Sequence, residues 1–309
     1  MPRLAAAQSY PSRPITMIVP YPAGGPTDTV GRTVAERMRA ELGQAIVAEN
    51  VSGADGSIAL GRVARAAPDG YTIEVGNWGA HVVNGAIYDL PYDLKTDFAP
   101  IILCARASQI VLARKSMPAE DLMQLVTWAR AHAGRFTIGH AGIGSPPHIA
   151  ALQFLKMTGA AGELVAYRGA APSVQDLIGE HIDIVITDPT TSLPQIRAGT
   201  IKGYAVTAAS RMAAAPDIPT VDEAGMPGFY VATWNGLFAP KATPPEIVAK
   251  LNAAARIALA DPAVRGRLAG FGQEVPPPQE QTPEAFAALL QADIERWWPV
   301  IRAAGIKPQ

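Results

Sequence analysis

Two glycine-rich stretches hold the residues best suited to chemistry, and both invite an anion. The first is Val19-Pro20-Tyr21-Pro22-Ala23-Gly24-Gly25-Pro26-Thr27-Asp28, between a β-branched run and a helical pattern. Gly24 and Gly25 let the backbone approach a ligand closely, and Thr27 or Asp28 is positioned to cap the helix. A helix start leaves unpaired N–H groups at the positive end of its dipole, and together they bind an anion without a charged side chain. The second stretch is Gly139-His140-Ala141-Gly142-Ile143-Gly144-Ser145-Pro146-Pro147-His148. Ser145 before Pro146 makes a good N-cap and first-turn pair, because proline there gives up only an N–H that had no helical partner. Gly142 and Gly144 supply the bends. Two anion-receptive helix starts in separate halves of the chain would face each other across a cleft. Each loop alone is equally an ordinary α/β connection, so the argument rests on there being two.

Other chemistries find less support. Neither loop matches G-x-x-x-x-G-K-[ST], since no lysine follows the glycines, and neither has dinucleotide-fingerprint spacing. The serine of Gly142-Ile143-Gly144-Ser145-Pro146 follows both glycines, so a G-x-S-x-G nucleophile elbow is missing. An α/β hydrolase-like or transferase reading built on Ser145 and His148 stays open as the alternative. Five histidines, His81, His132, His140, His148 and His181, are scattered singly without H-E-x-x-H spacing, so no metal site is expected. Trp78 just after a strand is read as a pocket wall or a packed ring. Asp188, at the end of another strand, is read as a ligand-facing group or a helix cap. Trp297 and Trp298 lie among Phe286, Leu290 and Ile301, where packing is the better reading.

The elements around these loops alternate. Strands are expected at Ile15–Val19, Ala45–Val47, Thr72–Val75, Gln109–Ala113, Phe136–Gly139, Leu164–Tyr167, Ile182–Thr187 and Gly203–Thr207. Helices are expected from Val30 to Leu42, around Ile58 to Ala66, and over Asp121–Ala133, His148–Met157, Thr190–Ala198, Pro244–Ala260 and Pro283–Ala304. Strand–helix alternation points to an α/β protein with parallel sheets covered on both faces. At 309 residues two domains are expected, joined by strands that cross between them within Ile101–Ala113 and Phe229–Ala239. A net charge of −1 without a basic stripe argues against a nucleic-acid partner. The one cysteine, Cys104, excludes an intramolecular disulfide and sits in an apolar run that suits a small buried side chain. No apolar run reaches the roughly 18 residues of a membrane-spanning helix. Ala5-Ala6-Ala7-Gln8 looks like the end of a secretory signal, but the apolar segment that should precede it is missing, and a plain tail is the competing reading.

An ordered set of short signatures adds to this. The first loop is followed by Leu90-Pro91-Tyr92-Asp93, Asp97-Phe98-Ala99-Pro100-Ile101, Gly142-Ile143-Gly144-Ser145 with His148, and Tyr167-Arg168-Gly169-Ala170. Then come Pro219-Thr220-Val221-Asp222-Glu223-Ala224-Gly225 and Trp234-Asn235-Gly236-Leu237-Phe238-Ala239-Pro240. With these the chain resembles the solute-binding proteins of tripartite tricarboxylate transporters, the Bordetella-uptake-gene type. That resemblance implies a type II periplasmic-binding fold of two α/β lobes, with 1–107 and 232–309 forming one lobe and 108–231 the other. It also implies a periplasmic receptor that closes on a small di- or tricarboxylate or aromatic acid and delivers it to integral-membrane permease subunits. The protein itself would be a monomer without cofactor. By the resemblance, Gly24, Gly25, Thr27 and Asp28 grip a carboxylate, opposed by Gly142, Gly144, Ser145, His148 and Asp188. Tyr21, Trp78 and Tyr167 would favour a flat or long apolar ligand body. A third reading keeps the receptor fold but couples it to a signalling protein.

Overall fold

A computed structural model describes residues 10–303 and 305; Ala5-Ala6-Ala7-Gln8 lies outside them. The chain enters through β1 (Ile15–Val19), an apolar run buried at all positions but one. Next is α1 (Pro26–Leu42), whose Val30, Val34, Met38 and Leu42 form the buried stripe and whose end is set by Gly43 in a left-handed conformation. β2 (Ile46–Asn50), α2 (Ser57–Ala64) and β3 (Thr72–Asn77) follow. A π-turn (Gly79–Val83) then leads into the short α3 (Asn84–Ile87). The long β4 (Phe98–Ser108) is separated from β5 (Ile110–Arg114) by Gln109 alone.

From β5 the chain builds a second unit. It consists of α4 (Leu122–Ala131), β6 (Thr137–His140), α5 (Pro146–Thr158), β7 (Glu163–Ala166), α6 (Ala170–Ile178), β8 (Ile184–Thr187), α7 (Pro189–Arg197) and β9 (Ile201–Val206). It then returns through β10 (Ala232–Pro240) to α8 (Pro245–Ala260), α9 (Pro262–Gly270) and α10 (Pro283–Ala303).

Two five-stranded sheets result, ordered β2-β1-β3-β10-β4 and β7-β6-β8-β5-β9. They are mixed, which corrects the expectation of parallel sheets. β1 is parallel to β2 and β3, and β6 to β7 and β8, but β10 and β5 lie antiparallel to their neighbours. The reason is topological. A strand reached through a covering helix returns parallel, whereas β10 and β5 arrive directly from the other sheet. Where the chain crosses, three segments are tied together. The Thr207 hydroxyl donates to the Val231 carbonyl at 2.7 Å and accepts from the Gln109 N–H at 2.9 Å. The Thr207 N–H donates to the Gln109 carbonyl at 2.9 Å. Cys104 is fully buried in the first sheet, and burial pushes its thiol up to about 12.

Candidate ligand-binding crevice

The loops after β1, β2 and β3 all leave the carboxyl ends of parallel strands, as do those after β6, β7 and β8. That edge is where open α/β sheets bind ligands. In the first loop Gly25, not Thr27 or Asp28, occupies the N-cap position of α1, and Pro26 takes the first helical position. Gly24 has φ +87°, a left-handed backbone that favours glycine. The buried Asp28 faces back into its own loop. One carboxylate oxygen accepts from the Gly24 N–H at 2.9 Å, and the other from Arg32 Nε at 2.8 Å and Asn50 Nδ2 at 2.9 Å. Burial acts to raise its pKa, but the bonds from Gly24, Asn50 and Arg32 outweigh it and hold the carboxyl below its ordinary value. Asn50 also donates to the Tyr21 carbonyl at 2.9 Å.

Asn77 completes the brace. Its amide donates to Thr27 Oγ1 at 3.1 Å, while its carbonyl oxygen accepts from the Tyr21 hydroxyl at 3.2 Å and the Ala80 N–H at 2.9 Å. The Thr27 hydroxyl therefore accepts a bond and keeps its own proton, and the N–H groups of Thr27 and Asp28 have no acceptor among the described residues. These donors stand at the positive end of a 17-residue helix. Burial and the nearby Asp55 carboxylate keep the Tyr21 phenol well above its ordinary pKa, so it stays a neutral hydrogen-bonding group.

The opposing loop is equally self-contained. Ser145 is the N-cap of α5, accepting from the His148 N–H at 3.3 Å and donating to the Gly142 carbonyl at 2.7 Å. The Gly144 N–H donates to His148 Nδ1 at 3.0 Å, which fixes that nitrogen as an acceptor. The His140 ring stacks on His148 at 4.3 Å. Burial, and after it the neighbouring His140, pushes His148 down to about 4, so the ring is neutral. Gly144 has φ +81°, and a Cβ there would lie 2.5 Å from Ile87 of α3, so this loop reaches across to the first unit. Ser145 Oγ is bonded to a carbonyl and not to the imidazole, which leaves the pair without the geometry of a nucleophile and its base.

The remaining expected residues are dispersed. Tyr167 is half-buried, its hydroxyl donating to Asp176 at 2.7 Å, and its carbonyl would be 3.5 Å from a Cβ on Gly142. Asp188 caps α7 through the Thr190 N–H at 2.8 Å and accepts from Gln273 of the first unit at 3.4 Å. Trp78 is 1% exposed, edge-on to Trp297 at 5.4 Å, so its ring belongs to the core rather than to a crevice wall. Four polar residues near these loops were not among the expected site residues. Asn50 and Asn77 brace the first loop, while the side chains of Asp55 and Arg168 are exposed on neighbouring loops and have no hydrogen-bond or ion-pair partner among the described residues. Only the position of Asn50 and Asn77 at strand ends could have signalled them. Two further grooves, of about 520 and 360 Å³, are lined by other segments, the first by residues of α5 and α10.

The model of the tripartite tricarboxylate transporter family receptor matches residues 30–306 of this chain. The chain belongs to that family. Solved members share its architecture across nearly their whole length. MatC of Rhodopseudomonas palustris, solved with malate, is 40% identical with a TM-score of 0.83, covering 94% of this chain and 100% of its own. A second R. palustris protein, solved with adipate, is 35% identical with a TM-score of 0.86, covering 97% and 100%. The periplasmic binding protein BugD is 37% identical with a TM-score of 0.83, also covering 97% and 100%. The fold of this receptor is therefore the two-lobed α/β arrangement of type II periplasmic-binding proteins.

Proposed function

We propose that this receptor captures a small carboxylate between its two lobes in the periplasm and, as a monomer, hands it to the permease subunits of a tripartite transporter without chemical turnover. The lobes are 1–107 with 232–309, and 108–231. The observation that carries the reading is the donor set at the start of α1. The Thr27 and Asp28 N–H groups and the Thr27 hydroxyl have no acceptor among the described residues, while the adjacent carboxylate of Asp28 is consumed by bracing. Charge-assisted bonds of this kind contribute on the order of 1.5–3 kcal/mol each. Because the donors are neutral, opening the lobes strands no buried cation. Gly142, Gly144, Ser145 and His148 supply the opposing wall, with Tyr167 behind them. Closure follows from the ligand bonding both walls at once. The relatives solved with malate and adipate support a carboxylate as cargo.

The test is a melting-temperature screen of refolded protein against mono-, di- and tricarboxylates, on the natural chain and on Thr27→Val. An acid at about 100 times its Kd adds roughly 2.7 kcal/mol, a rise of several degrees. Losing the Thr27 donor raises that Kd about 10-fold or more, because a bond to a charged group is lost. No rise with any acid at millimolar concentration would refute the proposal.

A further inference from the structure

The loop after β2 carries an acid where an acid is costly. Residues 53–57 pack directly beside the first loop, since a Cβ on Gly56 would lie 3.0 Å from Pro20 and 3.6 Å from the Tyr21 ring. Asp55 sits at the tip of this segment with φ +50°, next to Ala54 at φ +44°, two consecutive non-glycine residues in the left-handed region. Its main-chain carbonyl is fastened from two sides, by Asn84 Nδ2 at 2.8 Å and the Tyr21 hydroxyl at 3.4 Å. Its carboxylate has no hydrogen bond or ion pair among the described residues. The side chain reaches solvent, yet the protein around it strips enough hydration to raise its pKa. Its charge is felt by two phenols, Tyr21 and Tyr88. An uncompensated carboxylate is thus held on the loop packed against the one whose donors attract carboxylates.

We propose that Asp55 is a specificity residue, selecting a carboxylate that also bears a protonated amine, an amino-acid-type zwitterion, over a dicarboxylate of the same length. The inference rests on the carboxylate-receptor reading and narrows it. A ligand carboxylate satisfies the start of α1, while its ammonium group meets Asp55, and a second carboxylate at that position meets like charge instead. The strained backbone holds the acid in place without any partner from the protein.

Isothermal titration with matched pairs tests this: α- and ω-amino acids, including 4-aminobutanoate and 6-aminohexanoate, against glutarate, adipate and the simple monocarboxylates. Asp55→Asn is the informative variant, because asparagine tolerates the left-handed backbone best after glycine and removes only the charge. The natural chain should bind its best zwitterion at least tenfold more tightly than the matched diacid, and Asp55→Asn should erase or reverse that ratio with the melting temperature kept. A diacid as the tightest ligand, with a ratio unchanged in Asp55→Asn, overturns the specificity role and leaves the receptor reading standing. No binding of any acid or zwitterion to either protein overturns both.

Discussion

Asp28 and His148 are two site residues whose side chains chemistry would ordinarily assign to a ligand or a reaction, and both are turned inward. Asp28 spends its carboxylate on Gly24, Arg32 and Asn50. His148 spends Nδ1 on the Gly144 N–H. Each thereby fixes the shape of a loop whose backbone makes the site. The His148 pKa, lowered to about 4, gives this a measurable sign. Unfolded, the imidazole titrates near 6.5, so acid protonates the unfolded chain first. His148 contributes its full stability above about pH 6.5 and loses it as pH falls toward 4, by up to about 3 kcal/mol. In His148→Asn the melting temperature should therefore fall less between pH 7 and pH 4.5 than in the natural chain. Equal slopes in a pH series of melting curves would contradict this account. The inward roles were not readable from the sequence. Residue type at a strand end says that a polar group is wanted there, but the partners, Asn50 and Asn77, come from strands brought beside β1 only by the sheet.

Among elements, the start of α5 and several strand runs were legible because local rules set them, whereas the start of α1 is capped by Gly25 and not by the expected Thr27 or Asp28. Ser145 followed by Pro146 caps α5 as its spacing required, and the apolar runs of β1, β5 and β8 lie buried in their sheets. Strand direction was not legible. Antiparallel β10 and β5 result from the path between sheets, which no local pattern encodes. Trp78 shows the same limit from the other side: a tryptophan after a strand suits a pocket wall or a core, and α10 decided it by supplying Trp297. The loop before α5 makes the element-level prediction. Gly144 is both left-handed and within reach of Ile87 on α3. Gly144→Val should leave the far-ultraviolet circular dichroism spectrum unchanged while weakening ligand binding by about tenfold or more, because the lobes can no longer meet there. Titration calorimetry showing unchanged affinity would mean that this approach plays no part in capture.

For the molecule as a whole, the bonds among Gln109, Thr207 and Val231 tie together the two connections that pass between the sheets, β4 to β5 and β9 to β10. Such a narrow, hydrogen-bonded crossing lets two rigid lobes rotate about it while each keeps its own sheet intact. Contacts that bridge the two units include Gly144 against Ile87, Asp188 with Gln273, and the Thr190 hydroxyl with the Phe271 carbonyl. A ligand that bonds the start of α1 and the loop before α5 therefore shifts the balance toward the closed arrangement by its differential affinity alone. Small-angle X-ray scattering of the protein, cleared of carried-over ligand by unfolding and refolding, tests this most directly. With a saturating amount of the acid that raises its melting temperature, the radius of gyration should fall relative to the unliganded protein. An unchanged radius at full saturation would contradict capture between the lobes.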